Sequence, residues 1–316
     1  MKRPVTRTIL VTPAGRRAYL DLLAHYVAAD PTISEWHLWD NCRSGDDRAH
    51  LAVLAARDAR ITIVPGEKAP GKADAINRFY ARCTDDDTFY IKLDDDIVWL
   101  PPRFGALFTA RALADRGRYA WWSPVVVNNA ICTWAMQHLG RLETPLQLSA
   151  LADDRFAWRS AEFAASLHES FIDATRTDRL ERFAIPDLDV TLRFSINCIG
   201  FFGDDVAALG ERFCPPGADD EDWISAVLPA ITQKPGRIVG DLLVSHFAFF
   251  PQENRLLHLG QLDGYYGLAG LTRNAALPFR TVPWARYLGQ RFRPRRLVPI
   301  DWRAAPPLHL PKSGAI

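Results

Sequence analysis

The sequence has no long apolar run, no marked excess of charge and no paired cysteine motif, and each absence excludes a class of protein. No window approaches the roughly 18 apolar residues that span a bilayer. The net charge of +1 argues against a general nucleic-acid binder, so no nucleic-acid partner is expected. The five cysteines are odd in number and lack a C-x-x-C spacing, which favours reduced thiols over a disulfide framework or a zinc site.

The N-terminal segment is basic, but the apolar stretch Thr8–Thr12 is shorter than a signal-peptide core and no small-residue cleavage pattern follows it. We therefore expect a cytoplasmic protein. Apolar residues make up 48% of the chain and charged residues 24%, as in ordinary globular proteins. The 316 residues suffice for one large α/β domain or two small ones.

Short β-branched runs alternate with helical periodicity in the N-terminal part of the chain. The predicted strands are Thr8–Val11, Trp36–Trp39, Ile61–Val64 and Phe89–Leu93, and the predicted helices are Tyr19–Val27, Asp46–Arg57, Lys72–Cys83 and one that starts near Pro102. Strand signals return later, at Ser195–Phe202 and Arg237–Val244. Such repeated units predict an α/β fold, a mostly parallel central sheet with helices on both faces. These sheets bind ligands at the carboxyl ends of their strands, so residues there, such as Thr12, are candidates for binding.

Two aspartate triplets flank the fourth predicted strand. Asp85–Asp87 precedes the strand and is interpreted as a solvated turn. Asp94–Asp96 ends the strand at the carboxyl edge, where paired carboxylates can hold a hard divalent ion against a diphosphate. The alternative is a merely polar strand end, but three adjacent acids repel one another without a counter-ion.

Four acids, Asp219–Asp222, precede the apolar helical run Ile224–Ile231. They are explained either as a cap that complements the helix dipole or as the source of a general base. In the second case, one of the four carboxylates acts as the base, and the charges of the neighbouring acids raise its proton affinity.

His246 follows the apolar strand Leu242–Ser245 and precedes the aromatic segment Phe247–Phe250. A lone histidine in such surroundings is more often a satisfied core residue than a metal ligand. Both interpretations stay open on the residues alone.

Taken in order, Asp40-Asn41, Gly71–Asn77, Leu93–Asp96 and Glu221–Trp223 resemble the motifs of the inverting GT-A fold glycosyltransferases, especially their large family 2. The resemblance spans roughly Thr8 to Phe250. It implies a GT-A catalytic domain over residues 1–250, with a nucleotide-sugar-binding half (1–127) and an acceptor-side half that carries the catalytic base (128–250). Residues 251–316 would form a C-terminal basic extension.

The resemblance also implies roles for single residues. On the donor side, Asp40 contacts the nucleotide base, and Lys72 and Asn77 lie beside the nucleotide. Asp94 and Asp96 match the D-x-D pair, with Asp96 the direct ligand of Mn²⁺ or Mg²⁺, Asp94 nearer the ribose or the ion, and Asp95 between them in the donor site. His246 is a further metal ligand, Asp222 is the catalytic base, and Glu221 and Trp223 contact the acceptor.

The implied reaction moves a sugar from a UDP- or GDP-sugar to a carbohydrate or lipid-linked saccharide with inversion, in bacterial-type surface polysaccharide or glycoconjugate synthesis. Leu256 stands where the membrane-embedded synthases of the family have tryptophan in a Gln-x-x-Arg-Trp signature, so processive synthesis is not expected. Residues 264–300 hold seven arginines and no acid. They predict either peripheral contact with an anionic membrane at the inner face of the cell membrane or a solvated tail or subunit contact.

Two other functions are compatible with the motifs. Leu93–Val98 also fits the D-x-D-x-[TV] motif of haloacid-dehalogenase-type phosphatases, with Asp94 as nucleophile. Against this, at least three strands precede the motif and no matching acid cluster follows it. The other alternative is a catalytically inactive nucleotide-sugar or carbohydrate-binding protein.

Overall fold

The computed structural model describes residues 4–66, 72–144 and 146–273. The strands are β1 (Arg7–Ala14), β2 (Glu35–Asp40), β3 (Ile61–Val64), β4 (Thr88–Leu93), β5 (Ile97–Trp99), β6 (Trp121–Val127), β7 (Leu188–Val190), β8 (Cys198–Phe202) and β9 (Gly236–His246). The helices are α1 (Arg17–Ala29), α2 (Gly45–Arg57), α3 (Lys72–Tyr80), α4 (Phe104–Ala114), α5 (Ala130–His138), α6 (Ala161–Arg176), α7 (Gly203–Leu209), α8 (Asp220–Asp222), α9 (Leu228–Thr232), α10 (Glu253–His258) and α11 (Gln261–Leu268). A π-helical turn, Trp223–Val227, joins α8 to α9, and Leu180–Phe183 and Gly210–Arg212 are 3₁₀ turns.

The strands form one sheet in the order β3-β2-β1-β4-β8-β6-β9-β5, and β7 pairs with β9. β3, β2, β1, β4, β6 and β9 run in one direction, whereas β8, β5 and β7 run against them. Helices flank this sheet. The predicted α/β architecture with a mostly parallel central sheet is therefore confirmed.

The first four strands and helices follow the sequence pattern closely. β1 and β4 are short, largely buried apolar runs, and α1 and α2 bury apolar residues along one face. Ile9, Leu10 and Val11 of β1 are fully buried, as expected for a central parallel strand. The Ser44 hydroxyl accepts a hydrogen bond from the N–H of Asp47 and caps α2. Stacking of Trp39 on Phe79, with ring centroids 4.9 Å apart, packs α3 against the sheet.

Three strands were not predicted, namely β5, β6 and β7. β5 and β7 have three residues each, too few for a period to be read. All seven residues of β6 are buried, so no alternation of apolar and polar residues marks it. The strand predicted at Ser195–Phe202 begins at Cys198, and the helix predicted near Pro102 begins at Phe104.

The C-terminal part of the described chain packs on the same body as the sheet. Both α10 and α11 contact α6, and the Tyr266 hydroxyl donates to the carbonyl oxygen of Ala18 in α1 at 2.7 Å. The division of the chain at residue 250 stays a prediction. Within residues 4–66, 72–144 and 146–273, no helix combines the length and apolar character needed to traverse a bilayer.

Candidate functional site

The carboxyl ends of β2, β1 and β4 lie side by side and define the candidate site. Ala14, the last residue of β1, pairs with Asp40, the last residue of β2, and β1 pairs with β4 on its other side. The topology therefore brings Asp40, the loop that starts at Gly15 and the segment Asp94–Asp96 to one edge of the sheet. This is the edge at which open α/β sheets bind ligands.

The three predicted metal ligands come together at this edge. One ligand atom each from Asp94, Asp96 and His246 lie within 4.8 Å of one another. Asp96 Oδ2 is 3.4 Å from His246 Nε2, while Asp96 Oδ1 is buried with no hydrogen-bond partner in the described part of the chain. Carboxylate oxygens with one imidazole suit Mn²⁺ or Mg²⁺, so the donor set fits the predicted ion.

Strand pairing explains how Asp96 and His246 meet across 150 residues of sequence. β5 runs antiparallel to β9, with Ile97 opposite His246, and the N–H of Phe247 donates to the carbonyl oxygen of Asp96 at 2.9 Å. His246 Nδ1 lies 3.2 Å from the carbonyl oxygen of Asn128. A carbonyl oxygen only accepts, so Nδ1 carries a proton and Nε2 is the nitrogen that faces Asp96.

A buried polar chain supports the backbone beside His246. His168 Nε2 is 2.8 Å from the Phe247 carbonyl oxygen and must donate to it. His168 Nδ1 therefore accepts from the Tyr265 hydroxyl at 2.7 Å, which in turn accepts from Ser245 at 2.6 Å. Burial lowers the pKa of His168 to about 4, consistent with the neutral ring that this chain requires.

Asp94 is held by two protein donors. Lys92 Nζ lies 2.5 Å from Asp94 Oδ1 and also donates to the carbonyl oxygen of Ile196 at 2.8 Å. Asn197 Nδ2 donates to Asp94 Oδ2 at 3.1 Å. Both carboxylate oxygens of Asp94 are thus already hydrogen-bonded, which leaves Asp96 as the acid with an unsatisfied oxygen.

Besides Lys92, the site contains a second cationic side chain, Arg16, which pairs with both Asp95 and Asp96. Arg16 Nε and Nη2 lie 2.9 and 2.5 Å from Asp95 Oδ1, and Nη2 is 2.9 Å from Asp96 Oδ2. The N–H of Gly15 also donates to Asp95 Oδ2 at 3.0 Å. On its outer side, Arg16 Nη1 contacts Glu253 Oε1 in α10 at 3.0 Å.

These contacts shift the pKa values of the buried groups. Burial raises the pKa of Asp95. For Asp96, burial acts in the same direction, but the charges of Arg16 and His246 outweigh it and lower the pKa. Burial alone would lower the pKa of Lys92, yet Asp94 and Asp220 raise it above its ordinary value. The site is therefore a set of charged, paired groups at neutral pH.

The acidic cluster Asp219–Asp222 lies near this edge, since Asp220 interacts electrostatically with Lys92 and Asp94, and it also caps a helix. The Asp219 carboxylate accepts from the N–H of Asp222 at 3.1 Å, and Arg193 binds Glu221 and Asp219 at 2.8 and 3.2 Å. The π-helical turn Trp223–Val227 follows at once, and such turns occur frequently at functional sites. The capping role and the functional role are thus compatible.

Within this cluster Asp220 is electrostatically linked to the D-x-D segment. Burial raises the pKa of Asp220, the charge of Lys92 lowers it and that of Asp94 raises it. Partial burial also raises the pKa of Glu221, and Arg193 opposes that effect. An acid with raised proton affinity beside the candidate metal site is suited to accept a proton. The indole N–H of Trp223 donates to the carbonyl oxygen of Arg212 at 3.0 Å.

The residues predicted to contact the nucleotide have protein partners of their own. Asp40 accepts from the N–H of Cys42 at 3.0 Å and from Arg48 Nε at 2.6 Å. Burial alone would raise the pKa of Asp40, but these hydrogen bonds outweigh burial and lower it. The Asn77 amide donates to the carbonyl oxygens of Pro215 and Ala218 at 2.7 and 2.9 Å.

The other two residues predicted to lie on the donor side are Thr12 and Lys72. Thr12 is fully buried in β1, where its hydroxyl accepts from Trp36 Nε1 at 3.0 Å. Lys72 begins α3, and its side chain lies outside the described residues. Direct contact of these residues with a nucleotide stays a prediction.

Sequence reasoning missed four residues that organise the site: Arg16, Lys92, Asn128 and Asn197. A signal existed for two of them. Lys92 is a lysine within a buried apolar strand, which requires a partner, and Arg16 follows the carboxyl end of β1. Asn128 adopts a left-handed conformation with φ 63° and, like Asn197, gave no recognisable pattern.

No protein-family model and no curated protein matches the sequence. Among solved structures, the chain is similar to a mannosyltransferase from Pyrobaculum calidifontis in complex with GDP-mannose and Mn²⁺, at 12% identity and a TM-score of 0.48, over 84% of this chain and 64% of that one. This chain thus spans less than two thirds of that enzyme's length.

The chain is also similar to 4-diphosphocytidyl-2C-methyl-D-erythritol synthase from Anaerococcus prevotii, at 12% identity and a TM-score of 0.44, over 84% of this chain and 96% of that one. A further synthase of the same name shows 9% identity and a TM-score of 0.39, over 81% and 97%. Identities and TM-scores this low carry no information on substrate or reaction.

Proposed function

We propose that this protein is a metal-dependent glycosyltransferase that moves a sugar from a nucleoside diphosphate sugar to an acceptor hydroxyl with inversion. The observation that carries the proposal is the cluster of Asp94, Asp96 and His246 at the carboxyl edge of β4, with Asp40 two strands away at the same edge. In this proposal, the arrangement would provide an ion site and a nucleotide site side by side.

The chain's own residues supply the donor half of the chemistry. Asp96 and His246 Nε2 would hold Mn²⁺ or Mg²⁺, with Asp94 close by. When bound, such an ion stabilises the negative charge that develops on the leaving diphosphate. Lys92 neutralises Asp94 from inside the sheet and so permits three adjacent acids to remain ionised.

The acceptor half requires a base that takes the proton of the attacking hydroxyl. We assign this role to the acidic cluster, with Asp222 as the residue implied by the family resemblance and Asp220 as the acid linked to Lys92 and Asp94. A single displacement with a base and no enzyme nucleophile inverts the anomeric carbon. Glu221 and Trp223 would contact the acceptor.

Partners follow from the same proposal. The donor would be a UDP- or GDP-sugar and the acceptor a carbohydrate or lipid-linked saccharide. Membrane contact would come from residues 264–300, and residues 274–316 lie outside the described part of the chain. Co-sedimentation with anionic vesicles at low and high salt tests that contact, and binding that does not depend on salt contradicts it.

The deciding experiment screens UDP-, GDP-, dTDP- and CMP-sugars for thermal stabilisation with and without Mn²⁺, since a ligand of the native state raises the melting temperature. The stabilising donor is then assayed for sugar transfer and for acceptor-free hydrolysis. Ion-dependent stabilisation with turnover supports the transferase. Stabilisation without turnover favours a binding protein, and phosphate release from simple phosphoesters favours the phosphatase.

A further inference from the structure

Arg16 connects three segments that meet at the candidate metal site. It lies in the loop between β1 and α1, and its guanidinium contacts Asp95 and Asp96 after β4 and Glu253 in α10. These contacts span 237 residues of sequence. Neither the predicted motifs nor the roles assigned above account for a cation at this position.

Arg16 and the candidate ion would use the same oxygen atom. Asp96 Oδ2 lies 2.9 Å from Arg16 Nη2 and 3.4 Å from His246 Nε2. Oδ1 of Asp96 has no protein partner in the described residues, but Oδ2 is the oxygen that faces His246. An ion bound by His246 Nε2 and Asp96 Oδ2 together would therefore compete with Arg16 for Oδ2, because two cations repel strongly at such short range.

The remaining partners of Arg16 each have a second donor. Asp95 keeps the N–H of Gly15 at 3.0 Å, and Glu253 keeps the Tyr19 hydroxyl at 2.8 Å. Movement of Arg16 would therefore not leave either carboxylate without a hydrogen bond, and so avoids the main cost of breaking a buried ion pair.

Arg16 also has access to a ligand. Its side chain is 40% exposed, whereas the side chains of Asp95 and Asp96 are 7% and 3% exposed. The Arg16 side chain is thus partly exposed beside two buried acids, and its fork of donors matches phosphate oxygens.

We propose that Arg16 binds the diphosphate of the donor, and that it leaves Asp96 when that carboxylate takes a divalent ion. This inference rests on the proposed function. It assigns the diphosphate of the donor to one named side chain and makes binding of the ion and of the diphosphate interdependent.

Calorimetric titration of full-length protein with Mn²⁺ alone, and with UDP and GDP at saturating Mn²⁺, tests the proposal. Arg16→Gln should bind Mn²⁺ alone about tenfold more tightly, because a competing cation is gone. It should bind the nucleoside diphosphate about tenfold or more weakly, because a charged donor to phosphate is lost. Arg16→Lys keeps the charge and should lose less nucleotide affinity, which also guards against a misfolded glutamine variant.

Arg179→Gln is the matched control, since Arg179 forms an exposed ion pair with Asp173 of α6, away from the motifs, and its removal changes the net charge equally. Wild-type protein that binds neither Mn²⁺ nor a nucleoside diphosphate contradicts the proposed function and the role of Arg16 with it. Normal wild-type binding with nucleotide affinity unchanged in both Arg16 variants contradicts the role of Arg16 alone. If Arg16→Gln binds Mn²⁺ alone no more tightly than wild type does, Arg16 and the ion do not compete for Asp96.

Discussion

The Nδ1 proton of His246 is donated to the carbonyl oxygen of Asn128 at 3.2 Å, and this bond turns Nε2 toward Asp96. The relationship fixes the tautomer that a metal-binding histidine needs. Asn128 directly follows β6 and is left-handed, with φ 63°. Asparagine tolerates this conformation better than most residues.

Asp96→Ala should remove most of the affinity for Mn²⁺, by more than about 100-fold, because the carboxylate that faces His246 at the candidate ion site is lost. Asp86→Ala is the control, since Asp86 belongs to the triplet before β4 and is exposed. Titration of both variants with Mn²⁺ checks the expectation. Equal affinities in the two variants would rule out Asp96 as a metal ligand.

Asp222→Asn should lower turnover by about 10²–10⁴-fold while leaving ion-dependent donor binding nearly intact, since an amide cannot accept the proton of the acceptor. Asp220→Asn and Glu221→Gln are made in parallel. Steady-state transfer rates and donor titrations separate the outcomes. If Asp220→Asn loses turnover and Asp222→Asn does not, Asp220 is the base. If all three variants are fully active, the cluster serves only as a helix cap.

Acid should destabilise the fold through His168. Its pKa is 6.5 when unfolded and about 4 when buried, so between these values the unfolded chain binds a proton that the folded chain does not. The free energy of unfolding should therefore fall as the pH drops below about 6.5, by about 3 kcal/mol at pH 4 from this residue. This contribution is fully present above the unfolded pKa.

Urea unfolding at about pH 7 and pH 5 measures the effect, and His168→Gln should show a pH dependence smaller by about 2 kcal/mol. His258→Gln provides a comparison, because His258 is exposed at the end of α10. A pH dependence that is the same in wild type and His168→Gln would show that this histidine is not buried in neutral form.

Gly240→Ala should destabilise the protein by about 3 kcal/mol, because the added carbon would lie 1.9 Å from the carbonyl oxygen of Ile185 and backbone cannot move aside cheaply. Gly45→Ala should change stability by less than about 0.5 kcal/mol, since nothing lies within 4 Å of its added carbon. Urea denaturation compares the two. Similar stabilities would indicate that β9 is displaced from Ile185 in solution.

The first four strands and the first four helices were predictable because their information is local. Apolar strands such as Thr8–Val11 and the capped helix at Gly45–Arg57 follow directly from periodicity and capping. The carboxyl-edge position of Asp94–Asp96 followed in turn, because it depends on the end of one strand. β6 escaped prediction since complete burial removes the alternation that would have marked it.

By itself, the sequence determined the chemical types available: acids after β4, a second acidic cluster and a histidine after a late strand. Tertiary structure alone decided their pairing. It brought His246 to Asp96 through β5–β9 pairing, neutralised Asp94 with Lys92 and directed Arg16 at Asp95, Asp96 and Glu253. The physical reason is that ion pairs and hydrogen bonds between distant segments depend on strand order and register, which no local pattern encodes.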